Sequence, residues 1–215
     1  MPELSAPTVA VARSFLSAMG EFGAEGRGGP DDDSMIGREI SQWQGRWDTP
    51  EGFAAFVAAL RAQSAQEAPR PAGWVPCTTW WWVDGQDYLG RIALRHRLND
   101  RLREHGGHIG YDVRPTARRR GHATAMLRAV LPRANVMGID PALVTCAVTN
   151  VASRRVIEAN GGVLEDEHLG KLRFWVPTKV PELPACRRHG PRPHQQARVP
   201  KRWRRPYADG VMVYW

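Results

Sequence analysis

Cysteine is scarce in this 215-residue chain, and Cys77, Cys146 and Cys186 are odd in number and stand at no metal-ligand spacing. That excludes a disulfide framework and a structural zinc site, so no metal is expected. Also lacking are a basic N-terminal region leading into a long apolar run and any segment approaching the ~20 apolar residues of a membrane span. No internal repeat is visible. These absences point to a cytoplasmic protein with no membrane partner. A mass of 24.0 kDa suffices for one well-filled core and hardly for two.

Charge is abundant but unevenly placed. A formal net charge of +8 would ordinarily suggest nucleic acid or a membrane surface. From Pro177 onward, however, nine basic residues (Lys179, Arg187, Arg188, Arg192, Arg198, Lys201, Arg202, Arg204, Arg205) face only Glu182 and Asp209, so this segment holds +7 of the +8. The chain therefore divides into a near-neutral domain, 1–176, and a tail, 177–215. The tail's seven prolines and missing apolar period read as largely disordered. A nucleic-acid-binding arm is its functional alternative, and nucleic acid is not the expected partner of the domain.

Helical spacing of Val11, Phe15, Ala18 and Phe22 after a capping Thr8 predicts a first helix over Val9–Phe22. Residues 23–34 then have the glycine, proline and acid content of a mobile loop. Ser41–Trp47 is a short Trp-bearing stretch. Thr49 and Pro50 start a helix with Phe53, Phe56, Val57 and Leu60 on its apolar face. Thr78–Val83 and Tyr88–His96, joined at Asp84 and Gly85, read as a hairpin.

The central stretch is Gly107–Leu131. Ile109, Tyr111 and Val113 alternate with polar or small residues as a strand does, and Arg114 with Pro115 ends it. Arg118, Arg119, Arg120 and Gly121 lead into a helix in which Ala123, Met126, Leu127 and Val130 share a face, stopped by Pro132. A helix N-terminus carries unpaired N–H groups and partial positive charge. Three arginines and a glycine before it suit a bound pyrophosphate. Leu143–Val148 reads as a buried strand, followed by a helix over Ala152–Ala159. Val163 and Leu164 form a short strand that turns through Glu165, Asp166 and Glu167 and returns as Lys171–Val176.

The spacing Arg118-x-x-Gly121-x-Ala123 resembles the acetyl-coenzyme A motif of the GNAT superfamily of N-acetyltransferases. Asn150, Ser153, Val156, Glu158, Asn160 and Gly161 resemble a second segment of its branch near the ribosomal-protein alanine acetyltransferases. The resemblance covers roughly Thr78–Val176. It implies an α/β (α+β) fold with a mixed, mostly antiparallel sheet, a splayed strand pair and flanking helices. It also implies acetyl-coenzyme A as co-substrate, held by Tyr111, Asp112 and Val113 of the splayed strand, by Arg118, Arg119, Arg120, Gly121, His122 and Ala123 of the turn, and by Asn150 and Ser153.

Acetyl transfer to an amine requires a bound cofactor, a neutral amine, stabilisation of the oxyanion and a proton for the leaving thiolate. Many superfamily members place a tyrosine seven residues after the Asn, where this chain has Ile157, so Ser153 is the expected acid. No carboxylate shares a strand face with Val113. His108 is the candidate base, provided a bulge brings it inward. Glu21, Glu25 and Asp33 of an acidic cluster are expected to attract a cationic acceptor. That acceptor is a lysine or N-terminal amine of a protein, or a small cationic molecule such as an antibiotic or polyamine. A non-catalytic acyl-coenzyme A-binding module remains the competing class, and a homodimer is a compatible assembly.

Overall fold

The computed structural model describes residues 1–32 and 34–179, so Asp33 and the expected disordered tail from residue 180 on lie outside the described residues. The fold is a seven-stranded sheet: β1 (Glu3–Ser5), β2 (Cys77–Asp84), β3 (Asp87–Arg95), β4 (Ile109–Val113), β5 (Ala142–Ala147), β6 (Val163–His168) and β7 (Lys171–Val176), in the order β1-β2-β3-β4-β5-β7-β6. Every neighbouring pair is antiparallel except β4–β5.

One face of the sheet packs on α1 (Ala12–Ala24), α2 (Met35–Trp43) and α3 (Pro50–Ala62), and the other on α5 (His122–Val136) and α6 (Val151–Glu158). A short α4 (Asp100–Glu104) bridges β3 and β4. The period of two along β2 divides neighbouring tryptophans between the faces. Trp81 stacks on Phe15 in the α1–α3 core, with ring centroids 5.0 Å apart, while Trp82 joins Ile92, Leu94 and Met126 on the other side.

The first helix begins as a 3-10 turn at Val9–Val11 capped by Thr8, and Phe15, Ala18 and Phe22 of α1 are buried as the spacing predicts. Four local expectations need correction. The described residues of 23–34 are tied rather than loose: the Asp32 carboxylate accepts from Arg27 Nε and from the N–H groups of Gly28 and Ser34. Those bonds hold the Asp32 carboxyl well below the usual carboxylate range although burial alone would raise it. Ser34 then caps α2, a helix the composition of the loop concealed.

Pro132 does not stop α5, which runs on to Val136 with Ala134 fully buried. The N–H that Pro132 lacks would have served the carbonyl of Arg128, and both residues are exposed, so water can replace it. Glu165, Asp166 and Glu167 are not a turn. They belong to β6, where a register shift between Leu164 and Asp166 accommodates the extra residue, and Arg173 of β7 holds the Asp166 carboxylate through two bonds of 2.6 Å. A charged, solvated strand suits the sheet edge it occupies. Beyond β7 the Thr178 hydroxyl donates to Ile139 O at 2.7 Å, so the chain stays on the body past residue 176.

Candidate active site

The parallel pair β4–β5 is joined at a single register position, Ile109 with Val144. Just before it, His108 N–H donates to Leu143 O at 2.7 Å, and Leu143 N–H donates back to His108 Nδ1 at 2.9 Å. Gly107, at φ +59, lets the chain pass so close that any side chain there would run into the Leu143 carbonyl. Beyond this clasp the strands part. Arg114 N–H bonds Leu89 O and Arg95 N–H bonds His108 O, so the alternating antiparallel ladder spends the main-chain groups of Gly110 and Asp112 on β3. Tyr111 and Val113 turn theirs toward the opening.

At the far end of β4 the chain enters the basic turn. Gly121 takes the left-handed conformation at the N-cap of α5, φ +79, with open space in front of it. Arg119 is also left-handed, at φ 64, a backbone state that costs a side-chain-bearing residue about 1–2 kcal/mol. Arg118, Arg119 and Arg120 are exposed. Open backbone donors, a helix start and exposed guanidiniums form a nest suited to phosphates. The residues thus fit acetyl-coenzyme A, with Tyr111 and Val113 placed for the pantetheine arm and the turn for the pyrophosphate.

A cavity of about 500 Å³ is lined by residues of both parted strands. At one end it is lined by Tyr111, Cys146, Ala147, Asn150 and Ser153. Asn150 caps α6 by accepting from Ser153 N–H at 2.9 Å, and the Ser153 and Tyr111 hydroxyls lie 2.7 Å apart. Burial pushes the Tyr111 phenol up to about 12, so it keeps its proton at neutral pH. Although Ile157 is sealed in the core, a tyrosine hydroxyl therefore does reach Ser153, from a strand rather than from the helix.

At the other end the walls come from α2, α3, β3 and α4. Glu39 of α2 ion-pairs with Arg91 of β3, both side chains being almost wholly buried, and its Oε2 has no hydrogen-bond partner. Burial raises the Glu39 carboxyl above its ordinary value against the opposing pull of Arg91, and Arg91 stays cationic. Asp112 also lines the cavity and pairs with Arg27 at 3.3 Å.

The residues expected from the sequence fall into two groups. Tyr111, Asp112, Asn150 and Ser153 meet at the cavity, while Val113, Arg118, Arg119, Arg120, Gly121, His122 and Ala123 follow one another along the turn and the start of α5. Arg118 is held there by a two-point pair with Glu25, 2.7 Å at each contact, and by Val113 O. His122 accepts from Trp82 Nε1 at 3.1 Å.

His108 and the acids are placed otherwise. The β3–β4 register runs without a shift, so no bulge turns His108 inward. Its Nδ1 is spent on Leu143, and burial, with Arg103 and Arg95, lowers the imidazole to about 4. It is a clasp between strands rather than a base at the cavity. Glu21 binds Arg114 and Thr116, and Glu25 binds Arg118, so neither lines the cavity. Asp33 lies outside the described residues. Sequence reasoning missed Glu39, although Ser34 followed by Ile36, Ile40 and Trp43 is a capped helical spacing that marks the helix bearing it.

Residues 32–163 match the family described as an acetyltransferase (GNAT) domain. A comparison with curated proteins finds no match. Among solved structures, the chain is similar to Mycobacterium smegmatis RimJ in complex with a CoA-disulfide, with a TM-score of 0.56 at 16% identity over 85% of this chain and 84% of that one. It is also similar to the microcin C7 self-immunity acetyltransferase MccE in complex with acetyl-CoA and AMP, with a TM-score of 0.55 at 12% identity over 82% and 92%. The ribosomal L7/L12 α-N-protein acetyltransferase RimL in complex with coenzyme A gives 0.54 at 15% identity over 81% and 92%. At these identities the likeness speaks for the fold.

Proposed function

The chain belongs to the GNAT acetyltransferase family, enzymes that use acetyl-coenzyme A as co-substrate, and on that premise we propose that it acetylates a primary amine by direct attack, without a covalent enzyme intermediate. The observation that carries this reading is the single-point β4–β5 contact beside a cavity lined by residues of both strands. Acetyl-coenzyme A supplies the activated thioester. Tyr111 and Val113 offer main-chain groups to its arm, and the Arg118–Gly121 turn with the start of α5 takes its phosphates. The amine enters from the side of α2, α3 and α4.

An amine arrives largely as ammonium and must lose a proton. We assign that proton to Glu39, which lines the cavity, because burial raises its carboxyl above its ordinary value and its buried Oε2 has no hydrogen-bond partner. The Tyr111–Ser153 pair supplies the other proton. One hydroxyl donates to the leaving sulfur while its partner, 2.7 Å away, orients it. The acceptor is the amine of a protein side chain or terminus, or of a small molecule, and a cytoplasmic setting suits either.

Release of coenzyme A thiol from acetyl-coenzyme A across a panel of amines tests this reading, with Gly121→Asp as the control. An aspartate there meets both the left-handed backbone requirement and the anion it would repel, so acetyl-coenzyme A binding should weaken by about 100-fold. Binding without turnover on any amine would make the protein an acyl-coenzyme A-binding module. Absence of binding by the parent protein would end the acetyl-transfer reading.

A further inference from the structure

The acceptor end of the cavity departs from the acidic mouth that its sequence suggests. Among the described residues lining the cavity, Arg38, Arg91, Arg95, Arg101 and Lys171 are cationic and only Glu39 and Asp112 are carboxylates. Both carboxylates are already paired, Glu39 through Oε1 with Arg91 and Asp112 through Oδ1 with Arg27, and Glu39 Oε2 is left without a partner. Setting Arg91 and Arg38 aside, Arg95, Arg101 and Lys171 still leave the cavity with an excess of positive charge.

The arrangement at Arg95 is built rather than incidental. Its Nη1 donates to the carbonyls of Gly106 and Gly107, at 2.9 and 3.1 Å, which fixes the guanidinium at the cavity wall. Arg101 of α4 and Arg38 of α2 stand on elements that flank it, and the Arg38 guanidinium lies over Trp74, 5.3 Å from the ring centroid. Burial lowers the Arg95 guanidinium, and the positive charges of Arg38, Arg91 and Arg101 press the same way. A bound anion relieves both costs. The phosphate-binding turn cannot account for this cluster, since Arg118, Arg119 and Arg120 precede α5 whereas these arginines come from α2, β3 and α4.

We propose that the acceptor is a small amine that also carries a carboxylate or phosphate, with Arg95 and Arg101 receiving the anion while Glu39 faces the amine. This rests on the acetyl-transfer reading above. Group placement follows from charge. The anion is drawn to the α4 side of the cavity, and the ammonium is left to the carboxylate on α2, so the same contacts that select the acceptor also orient its nitrogen. Polyamines and aminoglycosides, with no anion to offer, meet like charge at the mouth.

The test uses the full chain and matched amines: amino acids against their amides, aminoalkyl phosphates against the corresponding amino alcohols, an acidic peptide with a free N-terminus, and spermidine. Coenzyme A release should give kcat/KM at least about tenfold higher for the anionic member of the small pairs. Carboxylate against phosphate in the panel tells the two anion sources apart. Arg101→Gln, at an exposed position that leaves the Arg95 anchor intact, should narrow the preference, and Arg95→Gln should narrow it further.

Equal rates within each pair, a preference for spermidine, or turnover confined to the peptide would each overturn the proposal. A separate calorimetric titration with dicarboxylates and with inorganic phosphate, on the coenzyme A-saturated and the free protein, reads the anion site without turnover. Binding that Arg95→Gln abolishes supports the site even if no amine is acetylated. No binding by the parent protein sinks it. Failure to bind acetyl-coenzyme A would instead sink the acetyl-transfer reading alone.

Discussion

The two ends of the cavity are made of different material. Toward Asn150 and Ser153, and along the turn that follows β4, the groups on offer are largely main chain: those of Tyr111, the N–H of Val113, the left-handed Gly121 and the N-terminus of α5. Toward α2 and α4 they are side chains, among them Glu39, Arg91, Arg95 and Arg101. Main-chain groups stay in place when side chains change, so the first end depends on residue type mainly at Gly121, whose φ is +79. The other end is built from charged side chains, where a single substitution adds or removes a charge.

Glu39→Gln gives the largest effect that sets the ends apart. It leaves Arg91 buried without its counter-charge and should cost roughly 3–5 kcal/mol in urea unfolding. Pairing Glu39→Met with Arg91→Met should restore most of that stability, since a buried pair often exchanges for packed apolar residues at little cost. Turnover should not return with it. In the parent protein Glu39 acts ionised, so kcat/KM falls as pH drops through its raised pKa, with a limb above the usual carboxylate range. Full turnover by the double variant would remove Glu39 from the chemistry and make the acceptor end a binding surface alone.

A smaller effect belongs to the cofactor end. Tyr111→Phe and Ser153→Ala should each lower kcat by about 10–100-fold with little change in acetyl-coenzyme A affinity, and the double variant should lose hardly more than either. Additive losses would mean that the hydroxyls act separately despite their 2.7 Å contact.

The smallest effect concerns the clasp where both ends begin. His108 titrates at about 4 when folded and near 6.5 when unfolded, so the unfolded chain binds the extra proton first and stability is lost as pH falls between those values. The loss should be of the order of 2 kcal/mol between pH 7 and pH 4, read by chemical unfolding. His108→Gln should flatten that slope. An equal slope would place the acid sensitivity at another group; Asp32, whose carboxyl is held low by Ser34, Gly28 and Arg27, contributes to that sensitivity only below its unfolded value of 3.8, outside that window.

Legibility in the sequence followed the same division. The turn from Arg118 to Ala123 and the cap at Asn150 could be read because their geometry depends on local features: a glycine needed at positive φ, a helix start, an Asn accepting three residues on. Helix α2 was obscured because Gly28, Gly29, Pro30 and the acids before it have loop composition, and only the folded contacts of Asp32 show how that loop is tied. Tyr111 and Ser153 are 42 residues apart, and no spacing predicts that their hydroxyls meet. Glu21 and Glu25 looked like acceptor ligands by charge alone. Arg114 and Arg118, 93 residues away in each case, had claimed them.

The sequence by itself determined the family, the two-faced sheet and the basic turn that opens α5, because each is written in nearest-neighbour terms of φ, period and capping. Tertiary structure alone decided which charges are spent on one another and which face the cavity. Pairing is set by distance in space, and for Glu39 with Arg91, or Asp112 with Arg27, that distance exists only once α2 and the α1–α2 loop have packed against β3 and β4.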